Sequence, residues 1–143
     1  MEDKLSFIKK IISSYYVVKA KDLLSKKNDI DALYYLNKAS KIETKYDIYI
    51  YKALAEFLLN KYENALLSYQ YALKLIEQDK NLNLDEREYL KKFVVEDILS
   101  ILTILNKRDN YNEYLTIFKN ITFNKDNIRT KFFKDFPINN EKK

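Results

Sequence analysis

Three carboxylates crowd one stretch of this chain, Asp85, Glu86 and Glu88, and two more stand side by side at Glu96 and Asp97. Paired acids can pass protons to and from a substrate or hold a divalent cation. Both uses need companions that are missing. His is absent, which removes the commonest general base and transition-metal ligand. Cys is absent, which removes thiol nucleophiles, zinc thiolates and disulfides. Gly is absent as well, and phosphate-cradling loops, nucleophile elbows and dinucleotide fingerprints all depend on glycine backbone geometry. Capping and matching of a helix dipole account for Asp85, Glu86 and Glu88 without catalysis. The expectation is a protein that is not an enzyme and carries no cofactor and no metal.

Tyrosine and lysine offer binding chemistry instead. Tyr15, Tyr16, Tyr34, Tyr35, Tyr46, Tyr49 and Tyr51 gather in the first 51 residues of the chain. Tyr gives a binding surface large area and a hydroxyl at low entropic cost. It also packs between helices with its hydroxyl at the rim, and both uses stay open. Where two tyrosines are adjacent, one must turn away from the core; Tyr15, Tyr34 or Tyr35, and Tyr51 are the expected surface members. The net charge of +5 is carried by the ends. Residues 1–28 and 119–143 each hold seven basic and three acidic groups, whereas residues 29–118 hold twelve and fifteen. Lys9, Lys10, Lys19, Lys21, Lys26 and Lys27, with Lys125, Arg129, Lys131 and Lys134, could meet phosphates or an acidic protein. A nucleic-acid binder more often carries a basic stripe along its body. Nucleic acid is therefore an unfavoured partner here, and solvated helix faces account for these charges.

The elements that must position these residues are helices. At 143 residues one domain is expected, and 47% hydrophobic with 33% charged residues suits a globular chain. The single proline, Pro137, and the missing glycines argue against β-hairpins and tight positive-φ turns. Heavy use of Lys, Asn, Ile and Tyr, as in an AT-rich genome, accounts for part of this bias. The spacing of apolar residues predicts a first helix over about 3–26, with Leu5, Ile8, Ile12, Tyr16, Ala20 and Leu23 or Leu24 on its core side. A second follows over about 30–43, capped by Asn28 or Asp29 and presenting Ala32, Leu33, Leu36, Ala39 and Ile42. Further helices fall at about 46–60, 62–78, 85–105 and 110–121. Asp85 with Glu88 reads as a capping box, Leu84 as a staple onto Tyr89, and Asn110 with Glu113 as a weaker box. A short helix near 125–135 carries Ile128, Phe132 and Phe133, and residues 137–143 form a frayed tail. Connections this short make neighbouring helices antiparallel. The opening twenty residues lack the apolar core of a signal peptide, and no run approaches 18 apolar residues. A cytoplasmic protein with no membrane span is the expectation.

An echo of thirty-three residues runs through the first half. Tyr16, Ala20, Ala32, Leu33, Ala39 and Ile42 return as Tyr49, Ala53, Ala65, Leu66, Ala72 and Leu75. Leu24 and Leu36 return as the aromatics Phe57 and Tyr69. Periods of this length mark helical hairpins that bury their apolar faces on their neighbours. In the string Tyr62 to Asp79, Tyr62, Ala65, Tyr69 and Ala72 resemble the second helix of a tetratricopeptide repeat (TPR); Ala32, Leu36 and Ala39 match likewise, with Asp29 in place of the aromatic. The family's turn glycine and closing proline are missing. A third, altered copy sets Tyr111, Leu115 and Phe118 against Tyr62, Leu66 and Tyr69. It puts bulky Tyr114 and Ile121 where Ala65 and Ala72 stood, which would push the helices apart. With the 125–135 helix it reads as a modified C-terminal cap.

The resemblance implies an all-α fold of six or seven helices. Its antiparallel hairpins, at 3–43, 46–79 and 84–121, would stack as a short right-handed superhelix. It also implies a protein–protein interaction module, a scaffold or adaptor that takes a partner peptide or helix in a concave groove. That groove would draw on Val17, Lys21, Leu24, Ile50, Tyr51, Leu54 and Phe57, although the same residues suit a core between helices. The Lys/Asn clamp with which some members hold a C-terminal carboxylate is largely absent. The alternatives are a small chaperone for a secreted protein and a nucleic-acid-associated helical protein acting through its basic ends.

Overall fold

The computed structural model describes residues 2–138, and all regular structure among them is helical. Seven α-helices follow in order: α1 (Glu2–Ser25), α2 (Asp29–Ile42), α3 (Tyr46–Leu58), α4 (Tyr62–Gln78), α5 (Leu84–Leu105), α6 (Arg108–Lys119) and α7 (Thr130–Asp135). A 3-10 turn at Lys125–Asn127 precedes α7. The helices pack in consecutive pairs, as an all-α repeat fold requires. Two compact units divide after Ala72, within α4. No helix among the described residues is long and apolar enough to cross a membrane.

In the first unit the echo is physical. Ala20, Ala32, Ala39, Ala53, Ala65 and Ala72, the small members of the two copies, are all fully buried at 0% exposure. Side chains this small let helix axes approach to the short end of the roughly 8–10 Å range. Leu36 and its counterpart Tyr69 are buried beside them. The helix α3 is buried on two sides: Ile48, Tyr51 and Ala55 lie along one stripe, Ile50, Ala53 and Glu56 along another. On the α4 side, the buried Ser68 hydroxyl donates to Glu56 Oε1 at 2.6 Å, and the Tyr49 and Tyr71 rings meet edge-on at 4.7 Å.

The echo extends to the backbone. The turn after α1 places Lys27 at φ 62°, and the turn after α3, thirty-three residues later, places Asn60 at φ 63°. Asn28 N–H donates to the Leu23 carbonyl and Lys61 N–H to the Glu56 carbonyl, each at 2.8 Å. Lys27 and Asn60 bond back three residues, to Leu24 and Phe57. These are Schellman closures, which satisfy carbonyls that the helix end leaves without partners. Asn106, at φ 57°, closes α5 in the same way. The expectation that a glycine-free chain avoids positive-φ turns is therefore corrected. The closing hydrogen bonds and the packing of the hairpin outweigh a steric cost of about 1–2 kcal/mol at each position.

The start of α1 departs from expectation as well. Leu5, Ile8 and Ile12, expected on the core side, are 56%, 46% and 40% exposed. Length is the reason. The 24 residues of α1 span about 36 Å and the 14 of α2 about 21 Å, so some three turns overhang. Among the described side chains, Ser13 is the first buried one in α1.

In the second unit, helix α5 carries the core with Tyr89, Leu90, Val94, Val95, Ile98, Ile101 and Leu102, all buried. Its cap is Asn83, not Asp85: the Asn83 side chain accepts from Glu86 N–H at 2.8 Å, and Glu86 accepts from Asn83 N–H at 3.2 Å. Leu84 is 69% exposed and forms no staple. Helix α6 starts at Arg108 with no side-chain cap, so the Asn110–Glu113 box does not form. None of its residues is fully buried, in keeping with bulky Tyr114 and Ile121 where the other copies have alanine. The helix expected over about 125–135 is split into the 3-10 turn and α7, with Ile128 extended between them; Ile128 and Phe132 are buried and Phe133 half-buried. Of the tail expected over 137–143, residues 139–143 lie outside the described residues, while Ile138 is buried.

Two outcomes are expected in urea denaturation followed by circular dichroism. Lys27→Gly raises stability by about 0.5–1 kcal/mol, because glycine accepts the left-handed conformation without the Cβ clash. Ala39→Leu lowers it by about 1–3 kcal/mol through overpacking. A neutral result for Ala39→Leu would mean that the helices do not meet at that alanine.

Candidate functional site

The residues expected to line a groove are brought together in part. Val17 and Lys21 of α1 line a small cleft of about 140 Å3 with Ser13, Ser14 and Val18, together with Glu43 and Lys45 of the α2–α3 connection and Asp47 and Ile48 at the start of α3. The Lys21 ammonium stands over the Tyr51 ring at 5.5 Å, a cation–π contact that joins the two helices. Leu54 is half-buried, one turn on from Tyr51, and Leu58, one turn further, is 47% exposed. Asp47, Tyr51, Leu54 and Leu58 share one stripe of α3 by their three- and four-residue spacing.

Three assignments need correction. Tyr51 is 7% exposed, so it forms the floor beneath Lys21 and not a surface contact. Ile50, at 1%, belongs to the core, because α3 packs on two sides. Phe57 is half-buried and stacks edge-on against Tyr62 at 5.5 Å, which places it at the α3–α4 turn. Leu24 is half-buried. Sequence reasoning missed Ser14, Val18, Asp47 and Leu58. Their signal was available: each lies three, four or seven residues from a position already assigned, on the same helix face.

A second cluster lies across α1 and α2. Tyr15, Tyr16, Tyr35 and Tyr34 form a chain of rings with centroids 5.7, 5.8 and 5.2 Å apart. Tyr15 and Tyr34, at its ends, are exposed as expected. Lys38 sits over the Tyr34 and Tyr16 rings at 5.0 and 5.7 Å, and its hydrogen bond with Tyr34 holds the ammonium above the usual lysine range. These tyrosines combine packing with an exposed aromatic edge.

Three carboxylates of α5, those of Asp85, Glu86 and Glu88, are committed to partners. Asp85 accepts from Asn124 N–H and Asn127 Nδ2, both at 2.8 Å, and the Asn124 bond, then the Asn127 bond, hold it below the ordinary carboxylate range. Glu88 pairs with Lys91 at 3.1 Å. Glu86, 1% exposed, takes the guanidinium of Arg129 on both oxygens, from Nε at 2.7 Å and Nη2 at 2.8 Å. Arg129 draws Glu86 down to about 2, against the opposing effect of burial. The basic side chains are partly engaged too: Lys26 pairs with Asp22 at 3.1 Å, and Arg129 and Lys131 lie over Phe132. No group of three acidic side chains among the described residues is arranged to hold a metal ion.

No family model, curated protein or solved structure matches this chain.

The Glu86–Arg129 pair gives a signed expectation. The folded carboxyl titrates near 2 and the unfolded one near 4.5, so its contribution is complete above about 4.5 and is lost as pH falls through 2. Glu86→Gln should cost about 1–3 kcal/mol at neutral pH. The gap from wild type should close as pH approaches 2, read by urea denaturation at several pH values. A gap that does not change with pH would show that the charge on Glu86 contributes nothing.

Proposed function

We propose that this chain is a non-enzymatic, tetratricopeptide-like interaction module that holds a peptide or helix of a partner protein against the cleft between α1 and α3. The observation that carries the reading is the mixed lining of that cleft. Half-buried Val17 lines it beside a lysine fixed over a tyrosine, together with Glu43, Asp47 and buried Ile48, and half-buried Leu54 follows that tyrosine on the same stripe of α3. Apolar surface supplies affinity, and opposite charges close together select the polar groups of a peptide. Size argues in the same direction. At about 140 Å3 the cleft is below the roughly 300–1,000 Å3 typical of small-molecule sites, but it accommodates one side chain of a longer ligand. The engagement of Asp85, Glu86 and Glu88 by neighbouring groups supports a role for them in structure and not in catalysis.

Display of random peptides against the intact chain, with affinities measured by fluorescence anisotropy, tests this reading. Selected peptides should bind Val17→Asp and Leu54→Asp at least about tenfold more weakly, as expected for contacts central to an interface, while both variants keep the wild-type circular dichroism spectrum. Equal affinity for wild type and both variants would sink the cleft assignment.

A further inference from the structure

We propose that α1 pairs in antiparallel orientation with α1 of a second copy of this chain. The face concerned is centred about 120° around the helix from the cleft-lining Val17 and Lys21; Val18, at its edge, also lines the cleft, but the proposal does not rest on the peptide-binding reading. Ile8, Ile11, Tyr15 and Val18 recur at spacings of three, four and three, the rhythm of a coiled-coil seam. They are between 46% and 66% exposed. At about 100° per residue, this seam is directed some 180° away from Ser13, Val17, Ala20 and Leu24, the buried and half-buried residues of α1. A second helix can therefore lie on α1 without displacing α2 or α3.

Charge selects the occupant and its direction. The seam continues at the same rhythm to Lys4 at one end and Asp22 at the other. In one antiparallel register, Ile8 meets Val18 of the second copy, Ile11 meets Tyr15, and Lys4 meets Asp22. Two-fold symmetry makes each of these contacts twice. Leu5 then lies beside the stem of Lys19, and Ile12 meets Ile12 at the axis. Parallel pairing would place Lys4 on Lys4 and Asp22 on Asp22. An antiparallel shift by one heptad would set Lys4 against Tyr15, or Asp22 against Ile11. Only the first register joins opposite charges at both ends and apolar side chains between them. Asp22 holds Lys26 at 3.1 Å, but both side chains are more than half exposed, so the carboxylate is open to a second cation.

Sedimentation velocity of the full chain, from low micromolar to submillimolar concentration, should show a monomer–dimer equilibrium. Ile11→Lys should weaken it on the order of 100-fold, because each substitution acts twice across a two-fold interface, with an unchanged circular dichroism spectrum. Lys4→Asp should weaken the dimer, and adding Asp22→Lys in the same chain should restore it. The chain has no cysteine, so introduced thiols report orientation. Mixing Ile8→Cys with Val18→Cys chains should give mainly the mixed disulfide dimer. A monomer at all concentrations, a double charge reversal that fails to restore pairing, or a predominance of like-with-like disulfides would each overturn the proposal.

Discussion

Close approach of helices at small side chains is the constraint on which the first unit depends. The six alanines shared by the two copies, all without exposed surface, stand where one helix meets another. Each permits a short interaxial distance only if the chain re-enters at the right height after every turn. The Schellman closures at Lys27 and Asn60 set that height. The same backbone geometry, repeated after thirty-three residues, delivers the next helix to the same alanine positions. Side-chain size and turn conformation are thus two parts of one requirement. The altered third copy shows what happens without it: α6, with Tyr114 where the other copies have alanine, buries none of its residues fully.

The second unit is held by a different device. Glu86 closes the capping box of α5 and, with the same carboxylate, grips Arg129 ahead of α7. Asp85 fixes the segment before it through Asn124 and Asn127, and Tyr89 donates its hydroxyl to the Phe136 carbonyl at 2.7 Å. Polar side chains from one helical turn, and the next tyrosine, thus tie the residues from 124 to 136 to α5. A buried carboxylate costs free energy unless charge and hydrogen bonds compensate it; here the guanidinium and two backbone N–H groups do so.

Much of this was legible in the residues. The helix count, most boundaries and the alanine contacts follow from periodicity alone, because a 3.6-residue repeat of small and large side chains has few other solutions. The cap of α5 was displaced by two residues because Asn83 and Asp85 are both competent caps. Only the tertiary bonds to Asp85 decide between them. Tyr51 and Ile50 were assigned to a groove because a stripe on one helix carries no information about how many neighbours that helix has. A helix packed on two sides buries residues that a helix packed on one side would expose.

The overhang of α1 is the sharpest instance of the same limit, and it bears on function. Apolar periodicity reports that a face seeks cover; it does not report which molecule covers it. In α1 two apolar stripes run along one helix, one toward α2 and α3, the other carrying Ile8, Ile11, Tyr15 and Val18 into solvent. A stripe of that length left in water is unfavourable, since each large aliphatic side chain forgoes roughly 1.5–3 kcal/mol of burial. A repeat array covers such a face with its next repeat. No described residue of the chain covers this one, so the driving force that builds the stack remains available at α1 for association. The charges at Lys4 and Asp22, which repeat packing against α2 does not use, restrict what that force can join.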